Sequence, residues 1–314
     1  MIIKKIRRGH VDWRNFLCST PARDYVFQKE EYVSQLDRAA EYIRKADSII
    51  VGAGAGALAA AGIQYGGKRF TDNFGEFIEK YGVHYMTDMY AAGFYPYPSE
   101  EAKWGYWSKH ALMNRFDPPA LPLYTELYDI VKSKEYFVLT TNVDHQFYKA
   151  GFDEKRIFAT QGDYGKIQCQ KACHQKTYDA KDLFRKMDEA RKDCLIPSEL
   201  VPKCPVCGGN MAMNLRCDNY FVEDEAWHEA ADRYADFLKQ NKDKKVVLLE
   251  LGVGFNTPII IRFPFEKMVR ENLSYSLIRL NMDEAVVPES FGKRAIGIGG
   301  DMARAITDIR ESVL

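Results

Sequence analysis

Four cysteines in two close pairs are the sharpest chemical signal in the chain. Three residues separate Cys169 from Cys173, two separate Cys204 from Cys207, and 30 lie between the pairs. Two facing thiolate pairs make a tetrahedral set of four sulfurs. That set suits a closed structural zinc, because it leaves no position for water. The run Cys204-Pro205-Val206-Cys207-Gly208-Gly209 carries glycines that let main-chain amides approach sulfur. Four free buried thiols are the plainer alternative. His174 is a spare donor beside the first pair. Cys18, Cys194 and Cys217 lie outside the pairs, the last two near enough in sequence to exchange with a ligand.

A second signal is Gly52-Ala53-Gly54-Ala55-Gly56, between the short apolar run Ala46–Val51 and the helix-favouring Ala57–Ala61. Strand, glycine turn and helix open a nucleotide-binding βα unit, where a diphosphate can meet bare backbone and a helix N-terminus. A tight turn of small residues is the alternative. An ordinary dinucleotide dehydrogenase would place an acid about 20 residues on, at the end of a second strand. Asp72 stands there, in a stretch that reads as helix, which counts against that enzyme class. A third signal, Thr141-Asn142-Val143-Asp144, follows the run Tyr136–Thr140. Asn142 is either a site residue or a helix cap.

The elements that must hold these residues alternate. Expected strands are 46–51, 136–140, 156–160, 246–251 and 273–281. Expected helices cover 29–44, several segments between 71 and 132, 223–239 and 301–313. The stripe Trp104, Trp107, His110/Ala111 and Asn114/Arg115 reads as a buried helix face. Strands that alternate with helices and end in glycine turns predict a parallel, Rossmann-like sheet. Six of the seven cysteines fall in 165–217, read as a small zinc-binding insert. The expected division is an N-terminal helical extension over 1–44, a Rossmann-like domain over 45–164 and 218–314 with a helical module at about 70–132, and the insert.

Composition narrows the function. The 314 residues suffice for about two domains. Lys plus Arg and Asp plus Glu both number 44, so the basic excess of a nucleic-acid binder is missing. The longest weakly polar run, 49–63, falls short of the roughly 20 residues that span a membrane. The N-terminus lacks an apolar core before a cleavage site. The expected location is the cytoplasm, with no nucleic-acid or membrane partner.

Several segments resemble one family in order. Gly54-Ala55-Gly56 with Ala61-Gly62-Ile63 resembles the sirtuin pattern GAG-x4-SGI. Thr141-Asn142-Val143-Asp144 with Ala150-Gly151 resembles TQNID…AG. The cysteine pairs sit where sirtuins hold zinc, Gly252-Val253-Gly254 resembles their GTS loop, Asn281 the later Asn that holds the adenosine ribose, and Gly300-Asp301 the last cofactor turn. Together they span about residues 46 to 305. There are departures. Gln161-Gly162-Asp163 stands where deacylases carry a His-Gly-Ser triplet. Leu58 replaces a serine, Thr141 replaces a glutamine, and Gln64-Tyr65-Gly66-Gly67 leading to Lys68-Arg69-Phe70 replaces PDFR. This set resembles the class M, macrodomain-linked sirtuins.

That resemblance implies a protein ADP-ribosyltransferase using NAD as co-substrate and one structural zinc. Its implied acceptor is a lipoylated carrier resembling glycine-cleavage H protein. A macrodomain ADP-ribosyl hydrolase and a lipoate ligase are the implied companions. Implied cofactor contacts are Gly54, Ala55, Gly56, Ala61, Tyr65, Arg69, Asn142, Asp144, Gln161, Gly252, Gly254, Asn281 and Asp301. Asn142 would hydrogen-bond ribose hydroxyls or a water, and Asp144 would accept from the nicotinamide amide. Gln161 cannot take a proton as a deacylase histidine does, but it can orient the ribose. Arg216 has a guanidinium suited to an acidic acceptor or a phosphate. Two other readings stay open: a deacylase using His145 as base, and a non-catalytic NAD-sensing or partner-binding module.

Overall fold

The computed structural model describes residues 20–255 and 257–314. After a short strand β1 (Tyr25–Val26) and helix α1 (Tyr32–Lys45) comes β2 (Ser48–Ala53). It leads through α2 (Ala55–Ala60) to three helices, α3 (Gly67–Tyr81), α4 (Met89–Gly93) and α5 (Glu100–Ala111). Then follow α6 (Pro122–Val131), β3 (Glu135–Thr140), α7 (Gln146–Lys149) and β4 (Ile157–Ala159). The cysteine-rich segment adds β5 (Gly162–Cys169), β6 (Thr177–Asp179), α8 (Lys181–Ala190) and β7 (Met211–Leu215). The chain closes with α9 (Glu225–Gln240), β8 (Val246–Leu251), α10 (Arg262–Glu271), β9 (Tyr275–Asn281), β10 (Val287–Pro288), β11 (Ala295–Gly299) and α11 (Met302–Val313).

Six strands form one parallel sheet in the order β11-β9-β8-β2-β3-β4. Its central strands are buried on both faces, so they read as continuous apolar runs. Alternation still sorts the side chains. Ile49, Val51, Val247 and Leu249 meet α1, α6 and α11 in one core, and Ile50, Leu248 and Leu277 meet α9 and α10 in another. Within the span expected as an N-terminal extension, α1 puts Leu36, Ala39 and Ile43 into the first core beside Ile306 and Ile309 of α11.

The third core joins the α3–α5 helices to the cysteine-rich segment. Phe70, Phe74, Phe77, Trp104 and Tyr106 pack with Phe184, Met187, Met211 and Cys169. The Trp104 stripe is therefore core, as its spacing predicts. The antiparallel sheet β6-β5-β7 sits on this core. β11 is a strand that the sequence does not announce, being Ala-Ile-Gly-Ile-Gly. A Cβ on Gly297 would meet the Ala285 carbonyl at 1.9 Å, so a weak strand former is required there.

Candidate active site and zinc centre

Parallel sheets bind ligands at the carboxyl ends of their strands, where neighbouring loops part. Here those ends carry Gly54 (β2), Asn142 and Asp144 (β3), Gln161 (β4), Gly252–Gly254 (β8) and Asn281 (β9). The loops are stitched to one another. Gly54 N–H donates to the Leu251 carbonyl at 2.9 Å and Gly56 N–H to the Gly252 carbonyl at 3.0 Å. A Cβ on Gly54 would lie 2.8 Å from the Gly252 oxygen, and one on Gly56 2.7 Å from the Gly252 Cα. These glycines are needed first for loop-on-loop packing. Gly252 itself has φ +58°, a left-handed conformation that glycine adopts freely.

Asn142 is half-buried and donates through Nδ2 to the Gly54 carbonyl at 3.0 Å. Its own N–H is held by Thr140 Oγ1 at 3.0 Å. It caps no helix. The residue at the N-cap of α7 is His145, and Asp144 just before it closes the turn, its Oδ1 accepting from the Gln146 N–H at 2.9 Å. Asp144 Oδ2 is buried without a hydrogen-bond partner among the described residues. Burial pushes its carboxyl up to about 6, against the pull of the Gln146 amide. Asp144 acts on the hydroxyls of Tyr65 and Tyr164, and burial holds both of those phenols protonated. His110, fully buried and held neutral by that burial, packs edge-on against both rings.

Gln161 lies just beyond β4, and its Oε1 is a second buried acceptor without a partner among the described residues. Its carbonyl accepts from the Arg216 N–H at 3.0 Å. The next residue, Gly162, has φ +100°, and a Cβ there would meet the Asn214 carbonyl at 1.9 Å. Arg216 joins this strand end. Its Nε reaches the Thr160 carbonyl at 3.3 Å, and its Nη2 meets Glu223 at 2.8 Å. Its guanidinium lies over Phe221 and Trp227. So Arg216 already holds an acid of this chain, a pairing that the sequence reading missed.

His145 has φ 68° and stacks on Tyr148, with Nδ1 3.0 Å from Asp163. Burial works to raise the Asp163 carboxyl. The hydrogen bond from His145 and the Arg115 guanidinium at 2.9 Å outweigh it and hold the group at about 2. Asp163 was not foreseen either. An acid inside a strand that is otherwise mostly buried was the available signal.

The remaining expected contacts are placed as follows. Arg69 forks onto the Gln64 and Met113 carbonyls and Asn114 Oδ1 at 3.1, 3.2 and 2.8 Å. Ala55 opens α2 and Ala61 ends it. Asn281 donates to the Val253 carbonyl at 3.2 Å and accepts from the Glu284 N–H at 3.1 Å. Asp301 is exposed and caps α11 through the Ala303 and Arg304 amides.

The four sulfurs of Cys169, Cys173, Cys204 and Cys207 lie within 4.8 Å of one another. Cys169 to Cys207 is 3.7 Å and Cys173 to Cys204 is 3.6 Å. Zinc–sulfur bonds of about 2.3 Å require tetrahedron edges of roughly 3.8 Å, so this spacing fits one zinc. It is far too long for disulfides. Main-chain N–H groups of Cys173 and Lys171 help pull the Cys169 thiol to about 6. His174 stands at the rim, its Nε2 2.8 Å from the Tyr178 hydroxyl. Cys194 is buried elsewhere, and Cys217 is exposed outside the cluster. Cys18 lies outside the described residues.

No family model matches the chain. Solved structures give the fold. A Sir2 homologue–NAD complex superposes with TM-score 0.56 at 15% identity, covering 93% of this chain and all of that one. A structure described as the basis for the mechanism and regulation of Sir2 enzymes gives 0.54 at 16% identity, covering 89% and 97%. The fold is thus that of a sirtuin-type protein. Sequence narrows this further. A protein ADP-ribosyltransferase of Staphylococcus aureus (strain Mu50 / ATCC 700699) is 38% identical over 279 residues, 88% of either chain. A probable bifunctional ADP-ribose hydrolase/ADP-ribosyltransferase of Fusarium oxysporum f. sp. cubense is 33% identical over 285 residues, 86% of this chain and 47% of that one. The chain belongs to the protein ADP-ribosyltransferases of sirtuin fold and is an enzyme of that kind.

Proposed function

We propose that this enzyme, of the class M kind, moves ADP-ribose from NAD to a lipoylated carrier protein resembling glycine-cleavage H protein, with little or no deacylation. The observation that carries the reading is Gln161 at the end of β4, where a deacylase needs an imidazole. An amide binds and orients but takes no proton. His145, the alternative base, is committed to Asp163 and Tyr148.

NAD supplies an activated glycosidic bond whose cleavage builds positive charge at the ribose C1′. Asp144 Oδ2, buried and without a partner, suits the nicotinamide carboxamide. The Tyr65 and Tyr164 rings shield that end from water. Asn142 and Gln161 offer amides to ribose hydroxyls. Glycines 54, 56, 252 and 254, with Ala55 and the ends of Asn281 and Asp301, supply a close-packed backbone cradle for the rest. Ala61 and Arg69 support it from α2 and α3. Arg216 would take an acidic acceptor group in competition with Glu223. Cys169, Cys173, Cys204 and Cys207 hold zinc in a structural role.

The Fusarium relative, named for both hydrolase and transferase activities, supports a macrodomain hydrolase as a companion. A lipoate ligase that prepares the acceptor is the other. Among the described residues no helix is long and apolar enough to cross a membrane.

The test is to incubate the chain and NAD with the lipoylated carrier and an acyl-lysine peptide in one tube, and to read intact masses. One ADP-ribose on the carrier, lost in Asn142→Ala and Gln161→Ala, supports the proposal. A deacylated peptide beside an unmodified carrier refutes it.

A further inference from the structure

Four fully buried charged side chains lie beneath the β8 loop, outside the catalytic groups described above. Glu250 (β8), Arg279 (β9), and Arg262 and Glu266 (α10) are all 0% exposed. Charged groups this deep are rare, and they persist only when paired. Here two guanidinium groups face two carboxylates. Arg279 meets Glu250 at 2.6 and 2.9 Å and Glu266 at 2.9 Å. The Tyr25 hydroxyl of β1 donates to the other Glu266 oxygen at 2.7 Å. With Arg279 so engaged, Arg262 has its own donors left for the backbone. It stays within 4.0 Å of Glu250 and 3.9 Å of Glu266.

Arg262 uses those donors on the loops at the rim of the crevice. Nη1 donates to the Val253 carbonyl at 2.9 Å, and Nη2 to the Glu284 and Val286 carbonyls at 3.0 and 3.3 Å. The guanidinium lies 3.9 Å from the centre of the Phe255 ring. The Glu284 carboxylate accepts from the Phe255 N–H at 2.8 Å and lies 3.9 Å from Arg262.

Gly252-Val253-Gly254 has no polar side chain, so whatever it offers a nucleotide comes from its main chain. The described peptide bonds are all trans. In a trans unit the carbonyl and the following N–H point in opposite directions. The Val253 oxygen is held by Arg262 and also by Asn281 Nδ2, so the Gly254 N–H, on the other side of the same peptide unit, points away from both.

We infer that Arg262 is a positioning residue for NAD. By forking onto the carbonyls of Val253, Glu284 and Val286 it fixes the loop so that the Gly254 amide faces the cofactor, and Glu284 holds the next turn of that loop. This rests on the reading, made above, that residues 252–254 cradle NAD. Burial and the like charge of Arg279 work against the Arg262 guanidinium, and the carboxylates of Glu250 and Glu266, within 4.0 and 3.9 Å, act in the opposite direction. Tyr25 completes the Glu250–Arg279–Glu266 set, so the N-terminal strand seals the loop from below.

The test uses the full chain with Arg262→Lys and Glu284→Ala. Lysine keeps the buried positive charge but cannot fork onto three carbonyls. Glu284→Ala removes the acceptor of the Phe255 amide and leaves the buried set whole. NAD affinity is measured by calorimetry, and transfer by steady-state kinetics with NAD and acceptor varied separately. Both variants are expected to raise the KM and Kd for NAD by about tenfold, with kcat within about twofold and the acceptor KM unchanged. An unchanged KM for NAD in folded protein, or a fall in kcat alone, overturns the proposal. If Arg262→Lys fails to fold, Glu284→Ala decides by the same criteria. Wild-type protein that binds no NAD would instead overturn the loop assignment on which the proposal rests.

Discussion

Asp144→Asn separates what the active site needs from what the fold prefers. Asn keeps an oxygen for the Gln146 amide, so the turn after β3 survives. It removes a buried carboxylate whose second oxygen has no partner among the described residues. In the folded chain this carboxyl titrates at about 6 instead of 3.8. The difference corresponds to about 3 kcal/mol of stability withheld at neutral pH. The sign follows from the direction of the shift. A carboxyl raised by folding favours the folded state while both states are protonated, below about pH 4. That advantage is lost as pH rises through 6, where the unfolded chain ionises freely and the folded chain ionises at a cost. Asp144→Asn should therefore melt close to wild type at pH 4 and roughly 5 °C higher at pH 8. Transfer should fall on the order of a hundredfold in kcat/KM, because the amide cannot accept at both positions. Melting curves by circular dichroism across pH 4–8, with transfer rates on the same preparations, make the comparison. A variant that is less stable than wild type at pH 8, or a difference that does not vary with pH, would refute the burial argument.

Two further outcomes follow from the packing. Gly56→Ala places a methyl 2.7 Å from the Gly252 Cα, backbone against backbone. It should cost about 1–3 kcal/mol in stability and raise the KM for NAD, whereas an unchanged melting curve would show that the two loops are not rigidly joined. A strong chelator should release one zinc per chain and lower the melting temperature. Near-UV circular dichroism should report loss of order around Trp104 as well as at the cysteines, since Trp104 packs on Phe184 in the core that both share; intact near-UV signal after metal loss would contradict that coupling.

The residues gathered at the carboxyl ends of the strands were legible because their chemistry is local. Glycine before a helix, Asn and Asp after a strand, and paired cysteines each carry meaning within a few positions. The long apolar strands β2, β3 and β8 were legible for a similar reason. Their burial on both faces leaves an uninterrupted run. What escaped was set by contacts between distant segments. β11 is rich in glycine because the Ala285 carbonyl crowds it, and nothing in Ala-Ile-Gly-Ile-Gly announces a strand. Asp163 reads as one more polar residue until Arg115 and His145 are brought against it from 48 and 18 positions away.

The sequence by itself determined the class of sheet, the four cysteines that could hold one zinc, and the amide side chain of Gln161 just after β4. These depend on residue type and spacing, which folding does not alter. Only the tertiary structure decided how those groups are held. It paired Arg216 with Glu223, left Asp144 and Gln161 each with a buried unpartnered oxygen, and put two arginines and two glutamates under the β8 loop. The reason is physical. A charge gains its meaning from what surrounds it, and a buried charge is tolerable only when its partners arrive from elsewhere in the chain.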